Sequence, residues 1–426
     1  MKLELIVPAT RENLKRKGKA LCPPLGLAMI GAVTPRDIDI NLIDENISAI
    51  DFDKEIDLAG ITTLTITAQR AYQIADILRT KGVKTVLGGI HASALPEEAG
   101  RHADAVVIGE AEEIWPKVIQ DFKANNLQKT YRQSERPKLF NLPIPRRDLF
   151  NREGYRFGNT VSTTRGCPNA CSFCSVTSFF GRTHRFRPVS EVIKEIETLN
   201  KGEILGFVDD NAFVRPAFAR ELMQTLGPLK KRWIAQASVS LAKDFELLRL
   251  AAASGCVALL IGFETLSPAN LAALGKRVNV VDEYESVIHS IHSQGIAVHG
   301  FFILGLDGDD EDVFESTLRF AQKMRLESAQ FIWPIPYPGT ALCESLDKSG
   351  RIVTKDWSLY ESEVVFEPQN MSRETLKKGC FWVETEFYSL PSIWRRIGPR
   401  HRNSIPLWVV NLSMRSFLSE KAVSLI

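Results

Sequence analysis

The stretch Thr163-Thr164-Arg165-Gly166-Cys167-Pro168-Asn169-Ala170-Cys171-Ser172-Phe173-Cys174 determines how the rest of the chain is interpreted. Its three cysteines have the spacing CxxxCxxC, and they follow an apolar β-type run and precede a helix-forming run. Thiolates are soft ligands that favour iron–sulfur clusters, zinc and copper(I). Three thiolates on one tight loop can hold three corners of a cubane cluster and leave the fourth iron without a protein ligand. We therefore expect Cys167, Cys171 and Cys174 to bind an iron–sulfur cluster.

A zinc site and a disulfide framework remain open as alternatives to the cluster. A structural zinc ion needs a fourth ligand to close its tetrahedron. The nearest candidate, His184, lies in the arginine-rich run 182–187, where a cation is poorly placed. A disulfide framework suits the sequence less well, because three is an odd number and the flanking sequence is not secretory in type. The remaining cysteines are scattered, as is typical of buried or unreactive thiols in a reducing compartment: Cys22, Cys256, Cys343 and Cys380.

The CxxxCxxC loop, with Phe173 before its last cysteine, resembles the signature of the radical S-adenosylmethionine (SAM) superfamily. The resemblance implies a [4Fe–4S] cluster whose open iron chelates SAM, and a reductive cleavage of SAM to a 5′-deoxyadenosyl radical that abstracts hydrogen from a substrate. It also implies an external one-electron reductant of the flavodoxin or ferredoxin type. In such an enzyme the cofactors carry out the difficult chemistry, and the protein supplies position and exclusion of water.

The composition is that of an ordinary globular protein. Its 426 residues are enough for about two or three domains. With 44% hydrophobic residues, 24% charged residues and a formal net charge of +2, the chain offers no electrostatic case for binding nucleic acid. The first residues are too few and too charged for a signal peptide, and no uncharged run approaches the length of a membrane span. We expect a cytoplasmic protein.

Residues 1–124 alternate short β-type runs with helix-like segments, which predicts a parallel sheet covered by helices. The strands are predicted at 3–7, 38–43, 58–63, 85–87 and 105–108. Ligands bind outside the carboxyl ends of such strands. Paired glycines there allow the backbone to approach a ligand closely, although they also suit a plain tight turn. The candidate cofactor-binding residues in these loops are Leu64, Thr65, Gly88, Gly89, Gly109 and Glu110.

The order of Pro23-Pro24-Leu25-Gly26-Leu27, Gly88-Gly89-Ile90-His91 and Val107-Ile108-Gly109-Glu110 is similar to the cobalamin-binding half of one radical SAM subfamily. That subfamily includes hopanoid methylases and bacteriochlorophyll-methylating and ring-cyclising enzymes. The resemblance implies a Rossmann-like domain that holds a corrinoid over a catalytic barrel. The sequence lacks the Asp-x-His-x-x-Gly that supplies a histidine to cobalt in classical cobalamin proteins, and His91 lies in the wrong local context for it. We expect a corrinoid without a histidine ligand, or else a domain kept for structure.

Residues 125–157 are rich in proline and charge and lack periodicity, which predicts an ordered linker. In 158–345 the β/α alternation resumes, with strands predicted at 160–164, 204–209, 233–237, 257–263, 298–304 and 329–333. Six such units agree with the partial (β/α)6 barrel of the radical SAM superfamily, and such barrels place their chemistry at the carboxyl ends of the strands. Residues 346–426 are similar to the small, mostly helical region that caps this barrel in the same subfamily.

Residues at these strand ends form the predicted SAM site. Asp209-Asp210-Asn211 takes the place of the Gly-Gly-Glu motif of the superfamily, where an acid suits the SAM ammonium group, although the same triplet also makes a good turn. Arg165 could balance the charge of the cluster or of a carboxylate. The further candidates are Gln236 and Ser238 for a ribose or carboxylate, Glu264 for a ligand contact, and Gly305 for close approach of adenine.

Three functions remain open. The first is a cobalamin-dependent radical SAM methyltransferase that acts on an unactivated carbon. The second is an enzyme with the same cofactors that forms a ring, rearranges or oxidises its substrate. The third is a non-enzymatic metal- or corrinoid-binding protein, against which the intact cysteine loop argues.

The C-terminal region bears on the substrate and on a membrane partner. Its aromatic residues favour a hydrophobic small-molecule substrate: Trp333, Tyr337, Trp357, Phe366, Phe381, Trp382 and Phe387. The tail 405–418 is apolar and flanked by arginines, which predicts either contact with a membrane surface or a helix docked on the barrel.

Overall fold

The computed structural model describes residues 1–15, 20–398 and 404–423. Within these ranges the chain forms two large parallel sheets, each accompanied by helices, and a mostly helical C-terminal region. This is the predicted α/β architecture. Alternating apolar runs of about five residues and amphipathic segments of about ten residues leave a parallel sheet with crossover helices as the arrangement that buries both.

The first sheet is built from residues 2–132. Its strands are β1 (Lys2–Val7), β2 (Asp39–Asp44), β3 (Leu58–Thr62), β4 (Lys84–Gly88), β5 (Ala105–Ile108) and β6 (Thr130–Arg132). Their spatial order is β2-β1-β3-β4-β5-β6, and every pairing is parallel. The helices of this part are α1 (Arg11–Lys15), α2 (Leu25–Val33), α3 (Ala68–Thr80), α4 (Ile90–Ala94), α5 (Pro96–His102) and α6 (Trp115–Lys123).

All five strands predicted in this half are present, but β6 was not predicted, because it lies in the segment assigned to the linker. It is an edge strand of three residues in which Tyr131 alone is buried, so it carries too little alternation to show in the sequence. The Tyr131 hydroxyl donates to Asp121 at 2.9 Å and accepts from the amide of Gln128. The chain therefore stays attached to the first sheet beyond residue 124, and the domain boundaries remain predictions.

The second sheet contains β7 (Asn159–Val161), β10 (Leu205–Phe207), β11 (Trp233–Ala237), β12 (Cys256–Glu264), β13 (Ala297–Ile303) and β14 (Ser328–Ile332). These strands are parallel and stand side by side in chain order. Between β7 and β10 lie the short antiparallel pair β8 (Thr164–Arg165) and β9 (Arg185–Phe186). The helices here are α7 (Ser175–Phe180), α8 (Val189–Glu197), α9 (Pro216–Leu226), α10 (Ser240–Lys243), α11 (Phe245–Ala253), α12 (Pro268–Ala273), α13 (Tyr284–Ser293) and α14 (Asp312–Lys323).

The two faces of the second sheet differ in burial. On the helix-covered face Phe263, Phe302 and Phe331 stack in a row, with ring centroids 5.6 and 5.5 Å apart. On the opposite face the side chains of Gln236 and Gln330 are exposed, although both residues lie within strands. Parallel sheets are usually covered on both faces. An open, polar face inside a parallel sheet is therefore where a ligand can be received.

The C-terminal region comprises α15 (Ala341–Lys348), α16 (Arg373–Phe387), α17 (Leu390–Ile397) and α18 (Ser404–Val423). It packs on both sheets: Trp357 and Tyr360 complete the apolar core of the first sheet, and Leu376 and Phe387 join the core of the second. The Trp357 indole donates to Glu98 at 2.8 Å. None of the described helices combines the length and apolarity that crossing a membrane requires.

We predict that Gly255→Ala destabilises the protein. Gly255 ends α11 with φ +105°, and a Cβ there would lie 2.0 Å from the carbonyl oxygen of Lys231. The strained backbone and the clash should together lower the free energy of unfolding by at least ~2 kcal/mol. Gly227→Ala is the matched control, because Gly227 is helical and a Cβ there would meet no described atom within 4 Å. Urea denaturation with equal midpoints for both variants would contradict this prediction.

Candidate functional site

The cysteine loop lies between β8 and α7, across the carboxyl ends of the last strands of the second sheet. The Ser172 amide donates to the Leu274 carbonyl at 2.9 Å, and the Ser172 carbonyl accepts from the Leu342 amide at 2.8 Å. Phe173 packs with Leu274 in a small apolar cluster at these strand ends, whose other members are Ile303, Leu306 and Ile332. The loop is therefore fixed to the barrel on both sides before any cofactor binds.

The chemistry of the loop fits an iron–sulfur cluster. Cys167, Cys171 and Cys174 are all free thiols. Burial raises the pKa of Cys171, and it raises that of Cys174 to about 11, so a cationic metal group is needed to hold them as thiolates. A cubane contacts each sulfur through a different iron, so the thiols need not converge. Consistently, no group of three or more His, Cys, Asp or Glu side chains in the described ranges is arranged around a single metal ion.

His184, the alternative fourth ligand for zinc, has other neighbours. Its ring stands edge-on to Phe186 with centroids 4.5 Å apart. Burial lowers the pKa of His184, and the nearby Arg215 lowers it further. Both of its ring nitrogens are buried without a hydrogen-bond partner, but in the described ranges His184 belongs to no group of three or more metal-ligating side chains around one ion.

Lys276, which the sequence did not single out, is a buried cation beside the cysteine loop. Its Nζ lies 2.7 Å from Oε1 of Glu264. Burial alone would lower the pKa of Lys276, but Glu264 and the thiols of Cys171 and Cys174 raise it above its usual value. Glu264, predicted to contact a ligand, is thus paired with Lys276. The Glu264 side chain fits beside Gly262 only because Gly262 has no side chain: a Cβ there would lie 2.3 Å from Oε1 of Glu264.

The two aspartates after β10 have different environments. Asp209, predicted to contact SAM, is buried and accepts four hydrogen bonds from the amides and hydroxyls of Thr163 and Thr164, three of them between 2.7 and 3.1 Å. Burial raises the pKa of Asp209 to about 6, while those hydrogen bonds act in the opposite direction. Asp209 therefore positions the chain that leads into the cysteine loop, and this is why the predicted strand 160–164 ends early at Val161.

Asp210 is the acid of this pair that remains available. Burial and the neighbouring Asp209 together raise its pKa to about 6, while a hydrogen bond from its own backbone amide acts in the opposite direction. The charge of Asp210 also raises the pKa of Cys174 in the loop. No other residue in the described part of the chain forms a hydrogen bond or ion pair with its side chain. A carboxylate that no other residue binds, next to the cysteines, is suited to an ammonium group.

Of the remaining barrel candidates, some are available to a ligand and others have a structural role. Gln236 is exposed on the open face of the sheet, and Ser238 Oγ lies 2.6 Å from Ser240 Oγ. Gly305 was expected to face adenine, but a Cβ there would lie 2.4 Å from the side chain of Leu376, so this glycine admits a helix of the C-terminal region instead. Its amide donates to Asp309 at 3.0 Å.

The loops after β3 and β4 are held together by His91. Its Nδ1 lies 3.3 Å from Thr65 Oγ1, its Nε2 lies 3.4 Å from Glu98, and its ring is edge-on to Trp357 at 5.1 Å. Both ring nitrogens thus have partners within the first domain, and the C-terminal region does not supply them. Thr65 is buried in this contact.

The other candidates in these loops differ in the space around them. Leu64 is half exposed. Gly89 has φ +101° and is pressed against Thr63, so it makes a tight turn, and Gly88 packs on Val107. Gly109, at φ +86°, has open space at its Cβ position with respect to all described atoms. Gly109 is therefore the glycine of this edge that a ligand can approach.

Glu110, predicted to bind a cofactor, joins the end of β5 to the antiparallel pair β8/β9. It accepts from Arg165 at 2.6 Å and from Arg185 at 2.6 Å, and Arg165 also pairs with Glu112. Arg165 and Arg185 face each other across β8 and β9, so the shared carboxylate separates two like charges. Arg165 is only 15% exposed. Arg165, predicted to balance the charge of the cluster or of a carboxylate, thus pairs with two carboxylates in an ion-pair bridge two residues before Cys167.

The aromatic residues expected to line a pocket are mostly core. Trp357, Phe366 and Phe387 are buried in the cores described above. Trp333, just after β14, is partly buried, and its indole N–H has no hydrogen-bond partner in the described structure. It is the aromatic residue best placed to offer a polar contact at the mouth of the barrel.

Sequence comparison gives two family matches. A profile of the radical SAM superfamily matches residues 161–321, and a profile of the B12-binding domain matches residues 14–119. The bacteriochlorophyllide d C-12(1)-methyltransferase of Chlorobaculum tepidum is 30% identical, over 97% of this chain and 92% of that protein. The hopanoid C-2 methylase of Rhodopseudomonas palustris is 27% identical, over 79% of this chain and 66% of that protein. The resemblance expected from the sequence is confirmed.

Two solved structures share the fold. The cobalamin-dependent SAM radical enzyme OxsB, with aqua-cobalamin bound, aligns with a TM-score of 0.71 over 98% of this chain and 71% of its own, at 14% identity. The radical SAM methyltransferase TsrM from Kitasatospora setae, with tryptophan and a SAM analog bound, gives 0.68 over 83% of this chain and 77% of its own, at 16% identity. At such identities the comparison establishes the fold alone.

We predict that Asp209→Ala destabilises the protein by about 2–4 kcal/mol, because four buried donors lose their acceptor. Asp209→Asn should cost less than about 1.5 kcal/mol, since the amide oxygen can accept from the two threonine amides while its nitrogen donates to the Thr163 hydroxyl. Chemical denaturation of both variants gives the comparison. If Asp209→Ala were as stable as the natural protein, Asp209 would not be the anchor of the loop.

Proposed function

Because the chain belongs to the radical SAM superfamily and carries a B12-binding domain, we propose that it is a cobalamin-dependent methyltransferase acting on an unactivated carbon of a hydrophobic small molecule. The family membership makes it an enzyme with a [4Fe–4S] cluster, SAM and cobalamin as cofactors. One observation carries the proposal: the ion-pair bridge of Glu110 with Arg165 and Arg185 sets the strand-end loops of the B12-binding domain against the cysteine loop.

In this proposal the cluster is held by the thiolates of Cys167, Cys171 and Cys174. Together the bound cofactors supply a radical for hydrogen abstraction and a methyl group for transfer. Asp210 receives the SAM ammonium group, because it is the unpartnered carboxylate near Cys174. Lys276 offsets the negative charge that three thiolates place in a poorly solvated site.

Other residues of the chain orient SAM and the corrinoid. Gln236 and Ser238 provide hydrogen bonds to a ribose or carboxylate from the open face of the sheet. Gly109 lets the corrinoid approach the backbone, with Gly88 and Leu64 in the neighbouring loops. An external one-electron donor of the flavodoxin or ferredoxin type completes the reaction.

A hydrophobic substrate is supported by two observations. The relative with 30% identity is named for methylating a bacteriochlorophyllide, which is a large, largely apolar ring system. At the mouth of the barrel, Trp333 offers apolar surface with a free N–H in the described structure, the combination of an apolar wall and a few polar anchors that such ligands require.

We predict that anaerobically reconstituted protein binds about four irons and forms S-adenosylhomocysteine together with 5′-deoxyadenosine when its substrate is present. Cys171→Ala should lose the iron and both products, because one corner of the cluster loses its ligand. Cys343→Ala, at a partly buried cysteine of α15, should retain them. Chromatography of the products distinguishes the alternatives. If 5′-deoxyadenosine forms without S-adenosylhomocysteine, the enzyme forms a ring, rearranges or oxidises its substrate and does not transfer methyl.

We further propose that the protein is cytoplasmic and contacts membranes through its C-terminal helices. Asn411 holds α18 on the barrel by donating to the Glu327 carbonyl at 2.9 Å. A helix docked on the barrel was one of the two predictions for the tail. Trp394 of α17 and Val409 of α18 remain 59% exposed, and Phe417 remains 50% exposed. Arginines are frequent in this segment of the sequence. An exposed apolar face flanked by cations suits an anionic lipid surface.

The double variant Trp394→Ser/Phe417→Ser should reduce sedimentation with vesicles of anionic phospholipid by about 3-fold or more, since each large apolar side chain that leaves water contributes about 1.5–3 kcal/mol. The control, Val280→Ser/Val353→Ser, removes two apolar side chains that are 44% and 41% exposed elsewhere on the protein. Equal sedimentation of the two double variants would refute the membrane contact.

A further inference from the structure

A pocket of about 250 Å³ lies between the first sheet and the helix that follows the cysteine loop. Gly109 and Ser93 form one wall at the end of β5, and Ser178 of α7 forms the opposite wall. The third wall comes from the end of β6 and the segment after it, through Arg132 and Arg136. The pocket thus touches the B12-binding domain on one side and the cluster-binding part of the barrel on the other.

The two arginines of this pocket are uncommitted. Both residues are exposed, and neither the Arg132 nor the Arg136 side chain makes an ion pair or hydrogen bond with any residue in the described ranges. Arg136 is held in place by packing on Gly181, where φ is +82° and a Cβ would lie 2.5 Å from its Cζ. By contrast, the arginines of the adjacent ion-pair bridge, Arg165 and Arg185, are saturated by carboxylates.

The charge of the pocket is positive once existing pairs are subtracted. Of its two carboxylates, Glu110 is neutralised by Arg165 and Arg185. Glu135 is left to face two guanidinium groups. The wall beside them leaves space for a ligand, because no described atom lies within 4 Å of the Cβ position of Gly109. The Ser93 hydroxyl accepts from the Gly109 amide at 2.9 Å and fixes this glycine at the rim of the pocket. A group with a single negative charge and several acceptor oxygens matches this pocket, because guanidinium groups bind phosphate oxygens in pairs.

We propose that this pocket binds the phosphodiester of the nucleotide tail of the corrinoid, with Arg132 and Arg136 as its cations. The inference rests on the proposed function, because it requires a corrinoid in the B12-binding domain. Cobalamin carries one phosphodiester with a single negative charge, which balances two arginines and Glu135. The position favours this source of the anion over a free metabolite, since Gly109 and Ser93 belong to the segment that matches the B12-binding profile. The arginines lie beyond that segment, at the end of β6 and in the residues that follow it.

The test compares cobalamin with cobinamide, a corrinoid that lacks the nucleotide tail and its phosphate. Binding of each to the full-length protein is followed by absorbance titration, for the natural sequence and for Arg132→Gln/Arg136→Gln. We expect the variant to bind cobalamin at least ~10-fold more weakly, as for the loss of charge-assisted hydrogen bonds, and to bind cobinamide within about 2-fold of the natural protein. Arg249→Gln/Arg319→Gln, which removes two arginines that are 64% and 74% exposed on barrel helices, should change neither affinity.

Each other outcome overturns a defined part of this proposal. If the variant loses affinity for both corrinoids equally, or for neither, the pocket does not bind the tail. Inorganic phosphate is tested as a competitor. If phosphate binds to the natural protein but not to the arginine variant, and yet displaces neither corrinoid, the pocket binds an anion of another molecule and not the corrinoid tail. If the natural protein binds neither corrinoid, the corrinoid part of the proposed function fails as well, which separates that failure from the first two.

Discussion

The ion-pair bridge formed by Glu110, Arg165, Arg185 and Glu112 is the constraint on which the site depends. Two arginines stand opposite each other on β8 and β9, an arrangement that would repel without the carboxylate between them. Burying such charges is costly unless every partner is present. The bridge therefore forms only when the end of β5 meets the start of the cysteine loop, and it fixes the distance between the corrinoid domain and the cluster. The end of β5 also borders the pocket that contains Arg132 and Arg136.

The cysteine loop is held in place by residues other than its three cysteines. Asp209 orders Thr163 and Thr164, Phe173 packs into an apolar cluster, and Ser172 is bonded to the backbone on both sides. The thiols are therefore left free for metal. Lys276 then supplies a positive charge that Glu264 keeps oriented. This charge lowers the pKa of Cys171 and Cys174, against the burial that raises it, and it would partly offset the negative charge of a bound cluster.

Much of the fold followed from local sequence. The strands predicted at 3–7, 58–63 and 233–237 are present as β1, β3 and β11, because each is a short apolar run that is encoded within half a dozen residues. The cysteine loop was recognised for the same reason.

The individual roles at strand ends were less predictable. Glu110, Asp209 and Gly305 were all expected to face a cofactor, yet their partners lie 55, 45 and 71 residues away along the chain, in segments that no motif connects to them. A strand-end acid has the same appearance in the sequence whether it binds a ligand or another strand. Lys276 carried no signal at all, because a lysine after Gly275 is ordinary until the fold places it beside thiols.

The packing of Trp357, Tyr360 and Val365 into the first sheet has a consequence for biosynthesis. These side chains complete a core whose other fully buried members all lie at or before Val106 in the sequence. The ribosome must therefore add about 250 residues after Val106 before that core is complete. At about 5–20 residues per second this takes roughly 12 to 50 s, during which the nascent domain leaves apolar surface uncovered. Domains of a nascent chain usually fold one after another. Here the core of the first sheet is completed by a segment that is made about 250 residues later, so the two parts mature together and the early intermediates are candidates for chaperone binding.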